Sequence, residues 1–433
     1  MTILWLHLRT SSIRWVIPLL VIAYLAMLLD TTAWIGSWPE TAAAAQVPAF
    51  WLAPWVAALA AWSGAAPWRH GVSERLMATP RCAIAVEAPR LVATSLLLVL
   101  PFLTAQIVAA ALTARSFPPG PGLFAGYSLL GASLTVVSVA VGWFAGRRFG
   151  SWTSVFAAAV LCAAVTYLGQ QGGDLLVAGR PQQTVRWQGT GVRLVLTVSL
   201  LVAVLWATPA VRRWTGWVSI AVLGTVLGLV VAAGVPVAAR SLTEQDATCV
   251  AGRLRLCLWP EHEKYLPLVR SVGDRAARLP AAFTLPPVAV ENGIRLVAEP
   301  AISPSAASLP SAASPAGRSP ARAVFAVRDG SVWSAAGDLA EVIIQRTVDA
   351  APSCPGSSPT GTTAPADWTH RVRLVAWLEA YLAGGGSPDY HDDASAEIRQ
   401  VQAEGRRIAN DTSREQQFTW AVAELAQVAH HCG

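Results

Sequence analysis

The chain has 433 residues, of which 54% are hydrophobic and only 13% charged. Soluble domains carry about 25% charged residues, so the composition excludes a protein whose whole surface faces water. The net charge of +6 rests on arginine, Lys264 being the single lysine. The arginines of the first half lie between hydrophobic runs, so they read as topology signals and not as a nucleic-acid footprint.

A helix needs about 20 apolar residues to cross a ~30 Å hydrocarbon core. Stretches near 15–35, 50–66, 91–113, 124–145, 155–168, 194–206 and 217–237 meet or approach that length. The fifth and sixth are short, so six or seven spans fit. Arg9 and Arg14 precede the first; Arg69, Arg75, Arg81 and Arg90 follow the second; Arg147 and Arg148 follow the fourth; Arg212 and Arg213 follow the sixth. The alternate loops are poorer, holding Arg115 and then Arg180, Arg186 and Arg193. Positive residues stay in the cytoplasm, which predicts a multi-pass plasma-membrane protein with a cytoplasmic N-terminus and, with seven spans, an external C-terminus. Tryptophans near predicted span ends, among them Trp15, Trp38, Trp51, Trp143, Trp152 and Trp206, suit the bilayer interface. The first span is longer than a cleavable signal core of 7–15 residues and is expected to be retained. Charged side chains are nearly missing from the spans, which argues against an ion-coupled carrier. Gln106 is the deepest polar group and is expected to hydrogen-bond between helices.

Acidic residues become common after Ala239, dividing the chain into a transmembrane helical domain, 1–239, and an extracytoplasmic soluble domain, 240–433. The expected fold class is a membrane all-α bundle followed by a mostly helical α+β domain. Within the latter, 253–258 reads as a strand, 260–279 as a helix start and helix, 283–297 as extended, and 302–322 as a low-complexity flexible segment. A short hairpin is expected at 324–333, helices at 336–349, 369–382, 394–410 and 413–430, and a second flexible segment near 352–365. Cys249, Cys257, Cys354 and Cys432 fall in this half; an even number in an oxidising compartment predicts disulfides in one of three pairings. Pairing Cys249 with Cys257 would suit a hairpin. Cys162 lies within the fifth span and Cys82 in a cytoplasmic loop.

Five histidines, His262, His370, His391, His430 and His431, lie in the second half near Glu261, Glu263, Asp392 and Asp393. His262-Glu263 has no second histidine four residues on, so it lacks the zinc-peptidase pattern, and the histidines are expected on the surface. No GxSxG elbow occurs, and Lys264 follows Glu263 and not a glycine-rich loop, so the chain carries no phosphate loop of its own. No enzyme activity, metal or cofactor is expected.

The loop from Trp68 to Arg90 holds Glu74-Arg75-Leu76 and Thr79-Pro80-Arg81, with 73–78 patterned as a short amphipathic helix, and Ile3 to Arg14 forms an amphipathic segment before the first span. In these features residues 1–240 resemble the permease subunits of ABC-type exporters, the type-2 permease class. The resemblance implies alternating access, a homo- or heterodimer, a separate ATPase partner, and Glu74, Arg75, Leu76 and Arg81 as its contact residues. Members usually have six spans and lack a large outer domain. The Cys257-Leu-Trp-Pro-Glu-His262 stretch is similar to outer domains attached to uncharacterised membrane proteins of high-GC Gram-positive bacteria. The alternative reading is a membrane-anchored extracytoplasmic binding or sensing protein without transport activity; an outer-face hydrolase is disfavoured by the missing motifs.

Overall fold

A computed structural model describes residues 2–69, 71, 83–150, 152–171, 179–206, 237–296, 322–328, 330–350, 365–386, 388 and 395–430. The chain is mostly helical and divides into two compact units, Met1–Ala239 and Arg240–Gly433.

The first unit opens with helix α1 (Thr2–Thr10), a 3-10 turn (Ser12–Trp15) and α2 (Ile17–Leu29). Helices α3 (Trp38–Ala44) and α4 (Val47–Gly64) follow in line, and a single helical turn, Ala66–Arg69, extends them. Then come α5 (Ala83–Ala114), α6 (Pro121–Phe149), α7 (Thr153–Gln171) and α8 (Trp187–Trp206). A two-stranded antiparallel ribbon pairs β1 (Gln183–Val185) with β2 (Val237–Ala239).

Among the described residues, four stretches are long and apolar enough to cross a membrane: Trp38–Gly64, Glu87–Ala114, Pro121–Phe149 and Trp187–Leu205. They correspond to the second, third, fourth and sixth expected spans. The first and fifth coincide with shorter apolar helices, Ile17–Leu29 and Thr153–Tyr167. The seventh lies outside the described residues except for Val237, which is in strand β2. One expectation is corrected. Arg193, assigned to a loop, is buried inside α8, which begins seven residues before the apolar run. The helices also extend beyond the expected spans into charged sequence, since α5 carries Glu87 and Arg90 and α6 ends on Arg147 and Arg148. Hydropathy marks the apolar core of a helix, whereas the hydrogen-bonded rod extends past it into polar sequence.

Lipid is as apolar as leucine, so such helices associate through close packing and polar contacts. Helices α4 and α6 meet along a seam of small residues, Ala53, Ala57 and Ala61 against Ala145, with Ala158 and Cys162 of α7 adjoining. A Cβ on Gly142 or Gly146 would stand 2.0 Å from the Ala57 carbonyl oxygen and 2.2 Å from that of Ala61, respectively. Only glycine permits this backbone approach. Farther along the bundle the polar glue is specific. Gln106 donates to the Ala45 carbonyl at 2.8 Å and accepts from Ser128 at 2.8 Å, the interhelical role expected of it. Gln46 donates to the Tyr127 carbonyl, and the Thr41 and Thr113 hydroxyls meet at 2.6 Å.

The second unit centres on a four-stranded sheet in the order β4 (Thr248–Val250), β5 (Arg255–Leu258), β6 (Val288–Glu291), β8 (Arg322–Phe325), with β3 (Leu242–Thr243) pairing separately with β7 (Ile294–Arg295). β4 and β5 are antiparallel, whereas β5, β6 and β8 run parallel. A 3-10 segment, Pro260–Tyr265, and α9 (Leu266–Ala276) form the crossover from β5 to β6. Helices α10 (Val332–Asp349), α11 (Pro365–Ala383), α12 (Ala396–Asp411) and α13 (Arg414–His430) complete the unit. The strand period of two is explicit in β5: Leu256 and Leu258 enter the main core, while Cys257 and Trp259 enter a second cluster with Val290 and Ile294.

The expected α+β domain is therefore built on a largely parallel sheet, an α/β arrangement. The hairpin expected at 324–333 is reduced to a single antiparallel bridge, Arg328 with Ser331. β8 pairs with the distant β6, and Ser331 caps α10 by accepting from the Trp333 N–H. Aspartate-glycine marks a chain reversal here, but the helix cap outcompetes a second strand. The segments 302–321 and 352–364 lie outside the described residues.

Candidate functional site

Two polar clusters stand out, one in each unit. In the first unit Glu87 is buried, 3% exposed. Its Oε1 lies 3.4 Å from Arg90 Nη1, one turn on, and 3.3 Å from Arg147 Nη2 at the end of α6. Arg90 also donates to the Ser63 carbonyl at 3.4 Å and lies over the Trp143 ring. The partly buried His7 of α1 feels both charges: burial and then Arg90 push its pKa down, while Glu87 opposes them. Arg69 sits 3.3 Å over the Trp62 ring and donates to the Trp62 carbonyl at 2.7 Å. Thus Arg90 and Arg147, from two segments assigned to the cytoplasm on sequence grounds, converge on one buried carboxylate, beside α1. An unpaired buried carboxylate is costly, and two guanidiniums make this one tolerable.

In the sequence, Glu87 and Arg90 follow the segment 70–82. The predicted contact residues Glu74, Arg75, Leu76 and Arg81, and the helix expected at 73–78, lie outside the described residues. Sequence reading missed Glu87. Its signal was an acid one helical turn before an arginine at the start of an apolar helix.

In the second unit the polar groups gather at the carboxyl ends of the parallel strands, where open α/β sheets place their ligands. His262 follows β5, and its Nδ1 lies 2.6 Å from Oε1 of Glu291, the last residue of β6. The other Glu291 oxygen accepts the Trp259 N–H at 3.1 Å. Arg240 pairs with buried Glu261 at 2.5 Å and lies over the Trp259 ring at 4.5 Å. His262 is 1% exposed, which corrects its expected surface position: the turn after Pro260 folds the ring inward onto the sheet edge. A carboxylate on Nδ1 is the usual orienting partner of a catalytic imidazole. A general base must also reach a substrate proton, and this ring is closed off from solvent. The cluster reads as a strut joining β5 to β6. His370 is likewise paired, at 2.8 Å from Glu424. Among the described residues no group of three His, Cys, Asp or Glu side chains is arranged to hold a metal ion.

Cys249 and Cys257 are directly opposite in the β4–β5 ladder and form a disulfide. Cys354 and Cys432 lie outside the described residues. Cys162 is a buried free thiol.

No protein-family model, curated protein or solved structure matches the chain.

Proposed function

We propose that the chain is the permease-like transmembrane subunit of an ABC exporter, lying in the plasma membrane with its N-terminus cytoplasmic and working with a separate ATPase. The observation that carries this reading is the cluster of Glu87, Arg90 and Arg147, next to α1 and, in sequence, just after the segment 70–82 with Arg75 and Arg81. A loop that receives force from a motor must pass it to the bundle. The cluster ties the start of α5 to the end of α6, and Arg90 ties it to the end of α4. A push on the loop would therefore reach three helices as one body. The short amphipathic α1, packed beside the same cluster, adds a fourth.

The reading takes two short helices, Ile17–Leu29 and Thr153–Tyr167, as spans in addition to the four long ones, and 217–237 as the seventh. With seven, the second unit is extracytoplasmic, which accords with a disulfide between Cys249 and Cys257.

The test is charge reversal at the loop, Glu74→Arg with Arg75→Glu, followed by affinity purification from the native membrane. Losing charged pairs at a partly buried contact costs a few kcal/mol, so copurification of the ATPase should fall about a hundredfold, with membrane level unchanged. Undiminished ATPase binding would refute the docking role of the loop.

A further inference from the structure

The segment before the first apolar helix carries bulky apolar and basic side chains on one outward face. In α1, Leu4, His7 and Leu8 are half-buried against the bundle, whereas Trp5, Leu6 and Arg9 are exposed, Trp5 at 67%. The 3-10 turn that follows buries Ile13 in a core cluster with Leu20 and Leu91, which fixes the segment to the bundle. It leaves Arg14 and Trp15 exposed, Trp15 at 76%. We propose that this face binds anionic phospholipid, with Arg9 and Arg14 on the headgroup phosphates and Trp5, Leu6 and Trp15 against the upper part of the acyl chains.

Three observations select that partner. First, position. Trp15 heads an exposed apolar stripe that continues on α2 as Leu19 and Ile22, while Leu20, Tyr24 and Leu28 are buried. On an apolar helix such a stripe faces acyl chains, so Trp15 stands at the border that indole rings prefer, and α1 lies at the membrane surface. Second, composition. Two indoles and a leucine exposed beside two guanidiniums suit a layered surrounding, apolar on one side and phosphate on the other, as in interfacial helices. The long arginine stem stays with the apolar groups while its charge reaches the headgroups. Third, the charges are available. Arg14 donates to the Arg9 carbonyl and lies 4.9 Å over the Trp15 ring, which gathers the two arginines and the indole. Glu87 is taken by Arg90 and Arg147, and among the described residues no carboxylate pairs with Arg9 or Arg14. The segments 72–82 and 207–236 carry four arginines against the single acid Glu74, so they supply no net countercharge. A phosphodiester does, through paired charge-assisted hydrogen bonds. A zwitterionic headgroup brings its own cation to the same place and is the poorer partner.

The inference rests on the first unit lying in a membrane and not on the exporter reading, and its test involves no ATPase. Full-length protein in a neutral detergent is titrated with phosphatidylglycerol, phosphatidylcholine and glycerol 3-phosphate, and bound molecules are counted by native mass spectrometry. Saturable binding of phosphatidylglycerol is expected, with phosphatidylcholine about tenfold weaker or more. Glycerol 3-phosphate, which has the phosphate without the chains, should not bind. An arginine near an anionic surface is worth roughly fivefold in binding, so Arg9→Gln with Arg14→Gln should weaken the tightest phosphatidylglycerol site about 25-fold. Arg115→Gln with Arg180→Gln removes the same charge from exposed positions elsewhere in the unit and should leave that site within about twofold of the parent. A melting temperature like the parent's would show that each variant is folded. If the first double variant unfolds, because Arg14 also holds the end of α1, Arg9→Gln alone decides, with a loss of about fivefold. Equal binding of the two lipids, binding of glycerol 3-phosphate as tight as the lipid, undiminished binding without Arg9 and Arg14, or an equal loss without Arg115 and Arg180 would overturn the proposal.

Discussion

At the scale of single residues, the consequential groups are charges placed where solvent is scarce. Glu87 pairs with two guanidiniums at once. Glu87→Gln keeps an acceptor of the same shape but leaves Arg90 and Arg147 without a countercharge. Breaking a buried pair by removing one partner costs 3–5 kcal/mol, so a loss of about 3 kcal/mol is expected, read as a lower melting temperature in detergent; an unchanged melt would mean that water already screens the cluster. Asp338 behaves oppositely. Burial raises its pKa above the ordinary value and Glu379 adds to the rise, while the Ala326 N–H, donating at 2.8 Å, and Arg328 oppose it. Between the ordinary value and the raised one, the folded state holds more protons than the unfolded state, so stability falls as pH rises through that window. Above that window the fold carries the full cost of ionising a buried carboxyl. Asp338→Asn retains the acceptor for Ala326 and should melt higher than the parent at neutral pH. The gap should close as pH falls toward about 4. A gap that widens on acidification would contradict the sign of the shift. Neither residue drew notice in the sequence, because an acid in a helix is ordinary until its neighbours are known. His262 shows the converse: it was conspicuous by type, yet its place in the strut follows from a partner 29 residues away.

At the scale of elements, the helix pair α4–α6 sets the spacing of the first unit. Gly142→Val would drive a side chain into the Ala57 carbonyl. Overpacking of this kind costs about 1–3 kcal/mol, and here the obstacle is backbone, which cannot rotate away; the upper end is expected, with reduced yield of folded protein. Gly122, in the same helix, has open space where its Cβ would be, so Gly122→Val should change stability by no more than about 0.5 kcal/mol. Equal losses at the two sites would point to helix propensity and not to packing. Elements with strong period were legible: the apolar stretches behind α4, α5 and α6, the β5 strand, and helices α9 to α13 of the second unit. Features set by competition were not. Asp329-Gly330 suggested a hairpin, but β8 found a parallel partner across the sheet and Ser331 capped a helix. The pairing of Cys249 was one of three until the ladder put Cys257 opposite it.

At the scale of the whole molecule, orientation is a statement about charge relative to a bilayer. Arg90 and Arg147 share a partner, so they must lie at one end of the bundle, as the arginine pattern requires. Seven spans would then put the C-terminus outside. A phosphatase that is active only outside the cytoplasm, fused after Gly433, should be active, and a fluorescent reporter that matures only in the cytoplasm should be dark at the same point. The reverse pattern would reduce the count to six and move the second unit to the cytoplasm.

By itself the sequence determined that the chain has long apolar helices in its first half, that charge returns after Ala239, and that it lacks a phosphate-loop lysine. These follow from composition and local period, which need no partner to be read. Tertiary structure alone decided that Glu87 unites two helices, that Gly142 and Gly146 bring α4 and α6 into backbone contact, and that the strands after β4 run parallel. Each depends on residues distant in the chain meeting in space, and hydrophobic pattern specifies which face is buried but not which partner buries it.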